Sequence, residues 1–152
     1  MRDAVRRRPD AGFTLLETLV VLAIFALVIG VSTPLMRAPP EGLQLQASAR
    51  RLCAAMRDTR ARAIAGNNEL ALSVDLARKS YSSPTLTEIF LPPNTLIELK
   101  IADVRRQGPQ QGDILFFPSG ASTGGEITLT LGGRRAIVDV NWLTGAARCE
   151  VS

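Results

Sequence analysis

A single carboxylate lies inside a long apolar segment of the chain. Glu17 is the one charged residue among the 24 residues from Phe13 to Met36. An acidic side chain at the centre of a membrane helix costs about 2.5–3.5 kcal/mol, and less near an end, so we expect Glu17 to have a partner. If the chain were cut between Gly12 and Phe13, the new amino terminus would lie one helical turn from Glu17. A neighbouring chain in a bundle of such helices could offer its terminal amine to this carboxylate, and a low dielectric would strengthen the attraction.

The apolar segment itself must hold this carboxylate in place. As a helix, its 24 residues would span about 36 Å, which is enough to cross a bilayer core of about 30 Å. Residues 1–12 carry four arginines and two aspartates, so the positive-inside rule predicts a cytoplasmic N-terminus. No A-x-A-like cleavage site follows the segment, which favours an anchor over an ordinary secretory signal. A plain signal anchor remains the alternative, and Glu17 counts against it.

The composition argues against catalysis. The chain contains no histidine, the commonest general base and metal ligand, and neither a phosphate-binding loop nor a nucleotide fingerprint is present. A glycine-rich loop holds the hydroxyls of Ser119, Ser122 and Thr123, for which a Ser–Lys pair with Lys79 or Lys100 is the formal option. Turn chemistry explains this loop better. We therefore expect a protein that is not an enzyme and uses no cofactor or metal.

The net charge gives no argument for a nucleic-acid partner. The chain has 18 basic and 14 acidic residues, and removal of residues 1–12 leaves 14 and 12, a net charge of +2.

Two cysteines, Cys53 and Cys149, are far apart in the chain and lack the spacing of metal ligands. They could form a disulfide in an oxidising compartment, or they could be two small, partly buried residues. The sequence leaves both readings open, because a disulfide needs Cα atoms within about 7 Å of each other.

The apolar pattern after the anchor changes its period once. From Gly42 to Ala65 it is helical, with a stripe formed by Leu45, Ala49, Leu52, Met56 and Ala63. From Leu70 onward it alternates, which predicts strands near 70–76, 97–101, 127–131, 136–140 and 148–151. Gly132-Gly133 predicts a hairpin turn, and Ser82–Asn94, with three prolines, predicts a loop or an irregular edge. Arg50 and Arg57 share one edge of the helix. They could contact a neighbouring subunit or lipid head groups, or they could simply belong to a solvated face.

The string G-F-T-L-L-E, with a basic leader before it and an apolar helix after it, resembles the processing site of type IV pilins and type II secretion pseudopilins. The resemblance implies that a prepilin peptidase cuts after Gly12 and methylates Phe13. It implies that Glu17 is the assembly carboxylate and that Pro34 breaks the helix locally. The apolar helix would then serve first as an anchor and later as the fibre core.

The tail resembles a particular head domain. The string I-L-F-F-P-S-G-A-S-T-G-G-E-I-T-L, followed by R-R-A-I-V-D-V-N and L-T-G, looks like the head of H-type minor pseudopilins and FimT-type minor pilins. This implies an α+β fold in which a long N-terminal helix, membrane-spanning in its first half, packs on an antiparallel β-sheet or sandwich head. The implied parts are a cleaved leader (1–12), an anchor and fibre-core helix (13–36), an amphipathic helix (37–66) and a β-rich periplasmic head (67–152). Residues 78–112 match no known pattern.

The resemblance implies a minor pseudopilin of a type II secretion system, a structural subunit of a periplasmic fibre that helps to export folded proteins. Its protein partners would be the prepilin peptidase and the major and minor pseudopilins, which it would bind through the N-terminal helix. It would cross the bacterial inner membrane once before its head enters the periplasmic fibre. The alternative is a FimT-like minor pilin involved in DNA uptake. That role would need a basic patch, for which the candidates are Arg134, Arg135 and Arg148, although Glu150 lies close in sequence. Solvated charges on a sheet edge are the simpler reading, so we expect no nucleic-acid partner.

Overall fold

The computed structural model describes residues 14–32, 39–101 and 110–152. The chain divides into two units, residues 1–38 and residues 39–152. Within the described residues, the first unit contributes helix α1 (Leu15–Ser32), and the second contributes helix α2 and eight strands. No helix in the described ranges has the length and apolarity required for crossing a membrane.

Helix α2 (Glu41–Gly66) agrees with the helical pattern from Gly42 to Ala65 to within one residue at each end, and it begins four residues after the start of the amphipathic helix expected at 37–66. Its buried residues include the whole predicted stripe and add Cys53, Ala55 and Thr59. The helix ends at Asn67, which adopts a left-handed conformation with φ of 47°. The N–H groups of Asn67 and Asn68 then bond to the carbonyls of Ile64 and Ala63, so two of the last helical carbonyls are satisfied.

The strands form two antiparallel four-stranded sheets. Their bounds are β1 Leu70–Asp75, β2 Ser80–Ser83, β3 Leu86–Phe90, β4 Leu96–Lys100, β5 Gln111–Phe116, β6 Gly125–Leu131, β7 Arg134–Val140 and β8 Ala147–Val151. The first sheet has the order β3-β2-β1-β5 and the second the order β4-β6-β7-β8. Helix α2 packs against β1, β5, β6, β7 and β8, so one core joins the helix to both sheets. The α+β architecture is the one expected.

The hairpin between β6 and β7 confirms the predicted glycine turn. Leu131 pairs with Arg134, and the two intervening glycines have φ of 59° and 76°. Positive φ at both positions is what a type I′ turn requires, and glycine reaches it without steric cost.

Three strands differ from the simplest reading of the sequence. Strand β2, to which no pattern was assigned, pairs with β1 at three residue pairs. The proline-containing stretch Ser82–Asn94 holds β3, which is an edge strand whose pairing with β2 shifts register between Tyr81 and Ser83. Of the two readings for this stretch, the irregular edge is therefore correct. Strand β5, to which no pattern was assigned, pairs with β1 over six residue pairs.

Candidate functional site

Glu17 lies in the first turn of α1. Its backbone N–H donates to the carbonyl oxygen of Thr14 at 3.0 Å and to the Thr14 hydroxyl at 3.3 Å. Thr14 and Glu17 thus have the spacing of a capping box, in which the threonine satisfies a free N–H at the start of the helix. The positive end of the helix dipole also favours a carboxylate at this position. Local structure therefore accounts for the helix beginning here and leaves the Glu17 side chain exposed within the described chain.

Apart from Thr18 and Ser32, the other side chains of α1 are apolar around the whole circumference of the helix. Eleven large apolar residues between Leu15 and Ile29 are exposed by 41% to 80%. They include four consecutive positions, Leu19 to Leu22, which together point in all directions around a helix. A helix that is apolar on every side requires apolar surroundings, such as other helices or lipid. Glu17 would be the one charged side chain of α1 in those surroundings.

The residues predicted for processing, Gly12 and Phe13, lie outside the described residues. So does Pro34, the predicted helix break.

A disulfide connects the two cysteines of the head. Cys53 on α2 and Cys149 on β8 are bonded, and their Cα atoms are 6.4 Å apart. The bond attaches the middle of the helix to the edge strand of the second sheet. It closes a segment with a sequence separation of 96 residues.

Two arginines of α2 reinforce the same side of the head. Arg57 donates to the carbonyl oxygen of Ala147 at 3.0 Å, and Arg60 donates to that of Gly120 at 2.9 Å. Arg57 stays exposed while its guanidinium binds the first residue of β8, so its contact to a neighbour or to lipid stays a prediction. Arg60 was not singled out from the sequence, and only its position three residues after Arg57 gave any signal.

The three arginines proposed as a nucleic-acid patch do not form one. Arg134 lies on the same face of β7 as Ala136 and Val138, and its side chain reaches the start of α2 at Gly42. Arg135 lies on the opposite face. Arg148 is opposite Asp139, which is four residues from Arg135 along β7 and hence about 13 Å away.

The outer face of the second sheet is not basic. Strand alternation places three cations and four carboxylates on it: Lys100, Arg135, Arg148, Glu98, Glu126, Asp139 and Glu150. Three positive and four negative charges give this face a net charge of −1. Within it, the Glu126 carboxylate accepts a hydrogen bond from Lys100 at 2.7 Å and raises the pKa of that ammonium group.

The hydroxyls of the glycine-rich loop accept hydrogen bonds from the backbone. Thr123 accepts from the Leu115 N–H at 3.1 Å, Ser122 from the Gly124 N–H at 3.1 Å, and Ser119 from the Ala121 N–H at 3.4 Å. These contacts shape the loop that follows β5. Neither candidate lysine is directed to them, since Lys79 donates to the Pro93 carbonyl and Lys100 to Glu126.

Across the described ranges, no group of three or more histidine, cysteine, aspartate or glutamate side chains is arranged to hold a metal ion.

Comparison with protein families gives two matches along the chain. Residues 7–33 match the model of the prokaryotic N-terminal methylation motif, and residues 48–145 match the model of the type II transport protein GspH. The second match covers well over half of the chain and contains most of the head.

One curated protein and two solved structures are similar to this chain. The type II secretion system protein H of Xanthomonas campestris pv. campestris is 33% identical over 144 residues, covering 95% of this chain and 85% of that protein. The minor pseudopilin EpsH from the type 2 secretion system of Vibrio cholerae has the same fold, with a TM-score of 0.58, 12% identity and coverage of 71% of this chain and 97% of that one. The type IV minor pilin FimU of Pseudomonas aeruginosa aligns with a TM-score of 0.48 and 12% identity, over 71% of this chain and 87% of that one.

Proposed function

The chain belongs to the GspH family of type II transport proteins, and we propose that it acts as a minor pseudopilin whose Glu17 binds the freed amine of a neighbouring subunit. Members of this family are structural subunits of a pilus-like fibre and not enzymes. The methylation motif over residues 7–33 and the family together indicate a membrane-anchored, periplasmic, pilus-like protein. In our proposal the prepilin peptidase cuts between Gly12 and Phe13 and methylates Phe13.

The observation that carries this proposal is the chemistry of α1. Its exposed apolar side chains require apolar surroundings, and within the described helix Glu17 is the one charged group that those surroundings would enclose. Two opposite charges 4 Å apart attract by about 1 kcal/mol in water and by about 4 kcal/mol at an effective dielectric constant of 20. An uncompensated carboxylate would oppose burial by several kcal/mol, so a partner cation decides whether α1 can enter a bundle. A neighbour's amine at Phe13 would also fix the axial register between the two helices.

The proposed location of the head follows from the anchor. Before assembly α1 would lie in the inner membrane with its N-terminus in the cytoplasm, and the head would face the periplasm. The periplasm is oxidising, which suits the bond between Cys53 and Cys149. The net negative outer face of the second sheet supports a protein-secretion role over capture of DNA, because phosphate binding needs clustered cations.

The experiment uses a host in which the gene for this chain is deleted and export of folded proteins is measured after complementation. Replacement of Glu17 by glutamine keeps the size of the side chain and removes its charge. We expect Glu17→Gln to be processed normally but to restore export at less than about a tenth of the wild-type level, given the energies above. Glu41→Gln is the matched control, since Glu41 is also the acidic residue in the first turn of a helix.

Export restored fully by Glu17→Gln would show that the carboxylate has no such partner. Export lost equally with Glu41→Gln would show that the effect is not specific to the apolar helix.

A further inference from the structure

Exposed large apolar side chains of the described head gather at its two ends. Leu43, Phe90 and Leu96 are 57%, 61% and 65% exposed and lie where α2 begins. The remaining three, Ile64, Trp142 and Leu143, lie where α2 ends. We call the first set, together with Arg134 and Arg135, the basal patch.

The members of the basal patch share one end of the head. Leu43 and Phe90 line the same groove of about 540 Å³ beside Pro39 and two further prolines. Leu96 opens β4 and pairs with Thr130, which in turn pairs with Arg135 beside the glycine turn. That turn lies against Glu41 in the first turn of α2, so it belongs to the same end.

Cations surround these apolar side chains. Arg134 reaches across the start of α2, where a Cβ added at Gly42 would lie 3.1 Å from its Nη1 atom. Arg135 is exposed on the opposite face of β7, on the side of Leu96. The Arg78 guanidinium lies 5.7 Å from the centre of the Phe90 ring and pairs with Glu88 at 2.8 Å. Arg51 lines the groove with Leu43 and Phe90, Lys79 donates to the Pro93 carbonyl beside it, and Glu41 is a further carboxylate at this end.

The chain limits how far the basal patch can lie from the anchor. Helix α1 ends at Ser32 and α2 begins at Glu41, so the eight residues 33–40 connect them. Eight residues span at most about 28 Å even when fully extended. If α1 is held in a bilayer, the covalent chain therefore keeps the start of α2 within about 28 Å of the end of α1.

We propose that the basal patch docks the head onto an anionic lipid surface while the subunit is still in the membrane. The proposal rests on the anchoring role of α1 in the proposed function. Exposed leucine and phenylalanine beside arginine is the combination that binds the boundary between head groups and acyl chains. The two arginines would add a preference for anionic lipid of about fivefold each. Entry into the fibre would then require the patch to leave the lipid.

The head can be tested without α1, because it has a core of its own. All the buried hydrophobic residues of the described chain lie between Leu45 and Ala147, within residues 39–152. The chain also contains one tryptophan, Trp142, which lies at the opposite end from the patch. A blue shift of Trp142 fluorescence would therefore show that the end opposite to the basal patch contacts the lipid.

The experiment mixes the fragment 39–152 with vesicles of phosphatidylethanolamine and phosphatidylglycerol, or of phosphatidylcholine alone, and measures co-flotation and fluorescence. We expect binding to the anionic vesicles with no blue shift of Trp142. In a Trp142→Phe background, Phe90→Trp should show a blue shift on binding. The double variant Leu43→Ser/Phe90→Ser should bind at least about tenfold more weakly, since two apolar side chains no longer enter the interface.

Trp142→Ser/Leu143→Ser is the matched control, because it removes two equally exposed apolar side chains from the far end. It should bind like the wild type. The proposal is overturned if the fragment does not bind anionic vesicles, if Trp142 shifts on binding, or if the control variant loses as much binding as the basal variant. None of these outcomes bears on Glu17, because the fragment lacks α1.

Discussion

Removal of the disulfide should strongly destabilise the head. The bond between Cys53 and Cys149 closes a segment with a sequence separation of 96 residues. In the chain-entropy model, a disulfide that closes a loop of this length stabilises the folded state relative to the unfolded chain by about 4.7 kcal/mol. Removal of a native disulfide typically lowers the free energy of unfolding by about 2–5 kcal/mol. Because α2 also packs on β7 and β8 and Arg57 binds the Ala147 carbonyl, we expect the fold to survive with a loss of about 2–4 kcal/mol.

The assay is urea unfolding of fragment 39–152, with wild type compared to Cys53→Ala/Cys149→Ala, each with and without reductant. For a slope of about 1.5 kcal/mol per molar urea, a loss of about 3 kcal/mol lowers the midpoint by about 2 M. Reductant should bring the wild type close to the double variant and leave the double variant unchanged. If the free energy of unfolding of the wild type changes by less than about 0.5 kcal/mol on complete reduction, the loop-closure reasoning is refuted.

Three further measurements test the head. Gly145→Ala should destabilise the head by about 3 kcal/mol, because Gly145 has a φ of 64° and an added methyl would meet the Gly120 carbonyl oxygen. Gly133→Ala should cost only about 1 kcal/mol, because Gly133 has a φ of 76° but faces open space. Equal losses of the two variants in urea unfolding would contradict this. The N–H of Arg78 holds the pKa of Asp75 below its ordinary value of 3.8. Its carboxylate therefore stabilises the head above about pH 4, and this contribution disappears as the pH falls through the lowered pKa. The difference in Tm between wild type and Asp75→Asn should accordingly shrink toward acid pH, and a constant difference would speak against this role. Finally, Arg148→Ala should leave the retention of the fragment on immobilised DNA unchanged at each salt concentration, since Arg148 lies on the outer face of the second sheet, which has a net charge of −1; weaker retention of the variant would reverse that conclusion.

Local patterns were enough to predict much of the fold. The stripe from Leu45 to Ala63 gave α2, because a helix buried on one side repeats its apolar residues with the helical period. The β6–β7 hairpin followed from alternation on both sides of two glycines. The end of α2 at Asn67 also has a local cause, because asparagine tolerates the left-handed conformation.

Features that depend on distant parts of the chain were not predictable in the same way. Strand β3 is short, lies at an edge and is flanked by prolines, so its alternation is weak, and its pairing with β2 contains a register shift. The contacts of Arg57 and Arg60 join residues 90 and 60 positions apart, and nothing local reveals the carbonyls that they bind. The dispersal of Arg134, Arg135 and Arg148 likewise depends on strand alternation and register.

The site proposed in α1 was inferred from the sequence because its signal is local, and it stays a prediction. A carboxylate four residues after Phe13, inside an apolar helix, is visible without any tertiary contact. Its proposed partner belongs to another subunit, so the described chain contains only one half of the pair.

Mass spectrometry of fibres tests the proposed pairing most directly, since the amine that Glu17 needs exists only after cleavage. The fibres would be sheared from cells that produce the full chain with the other pseudopilins of the same host. We predict that the chain recovered from them lacks residues 1–12 and begins with methylated Phe13, while a Gly12→Val variant stays in the membrane at full length. Recovery from fibres of a chain that retains residues 1–12, or that begins at another residue, would contradict the pairing of Glu17 with a freed Phe13 amine.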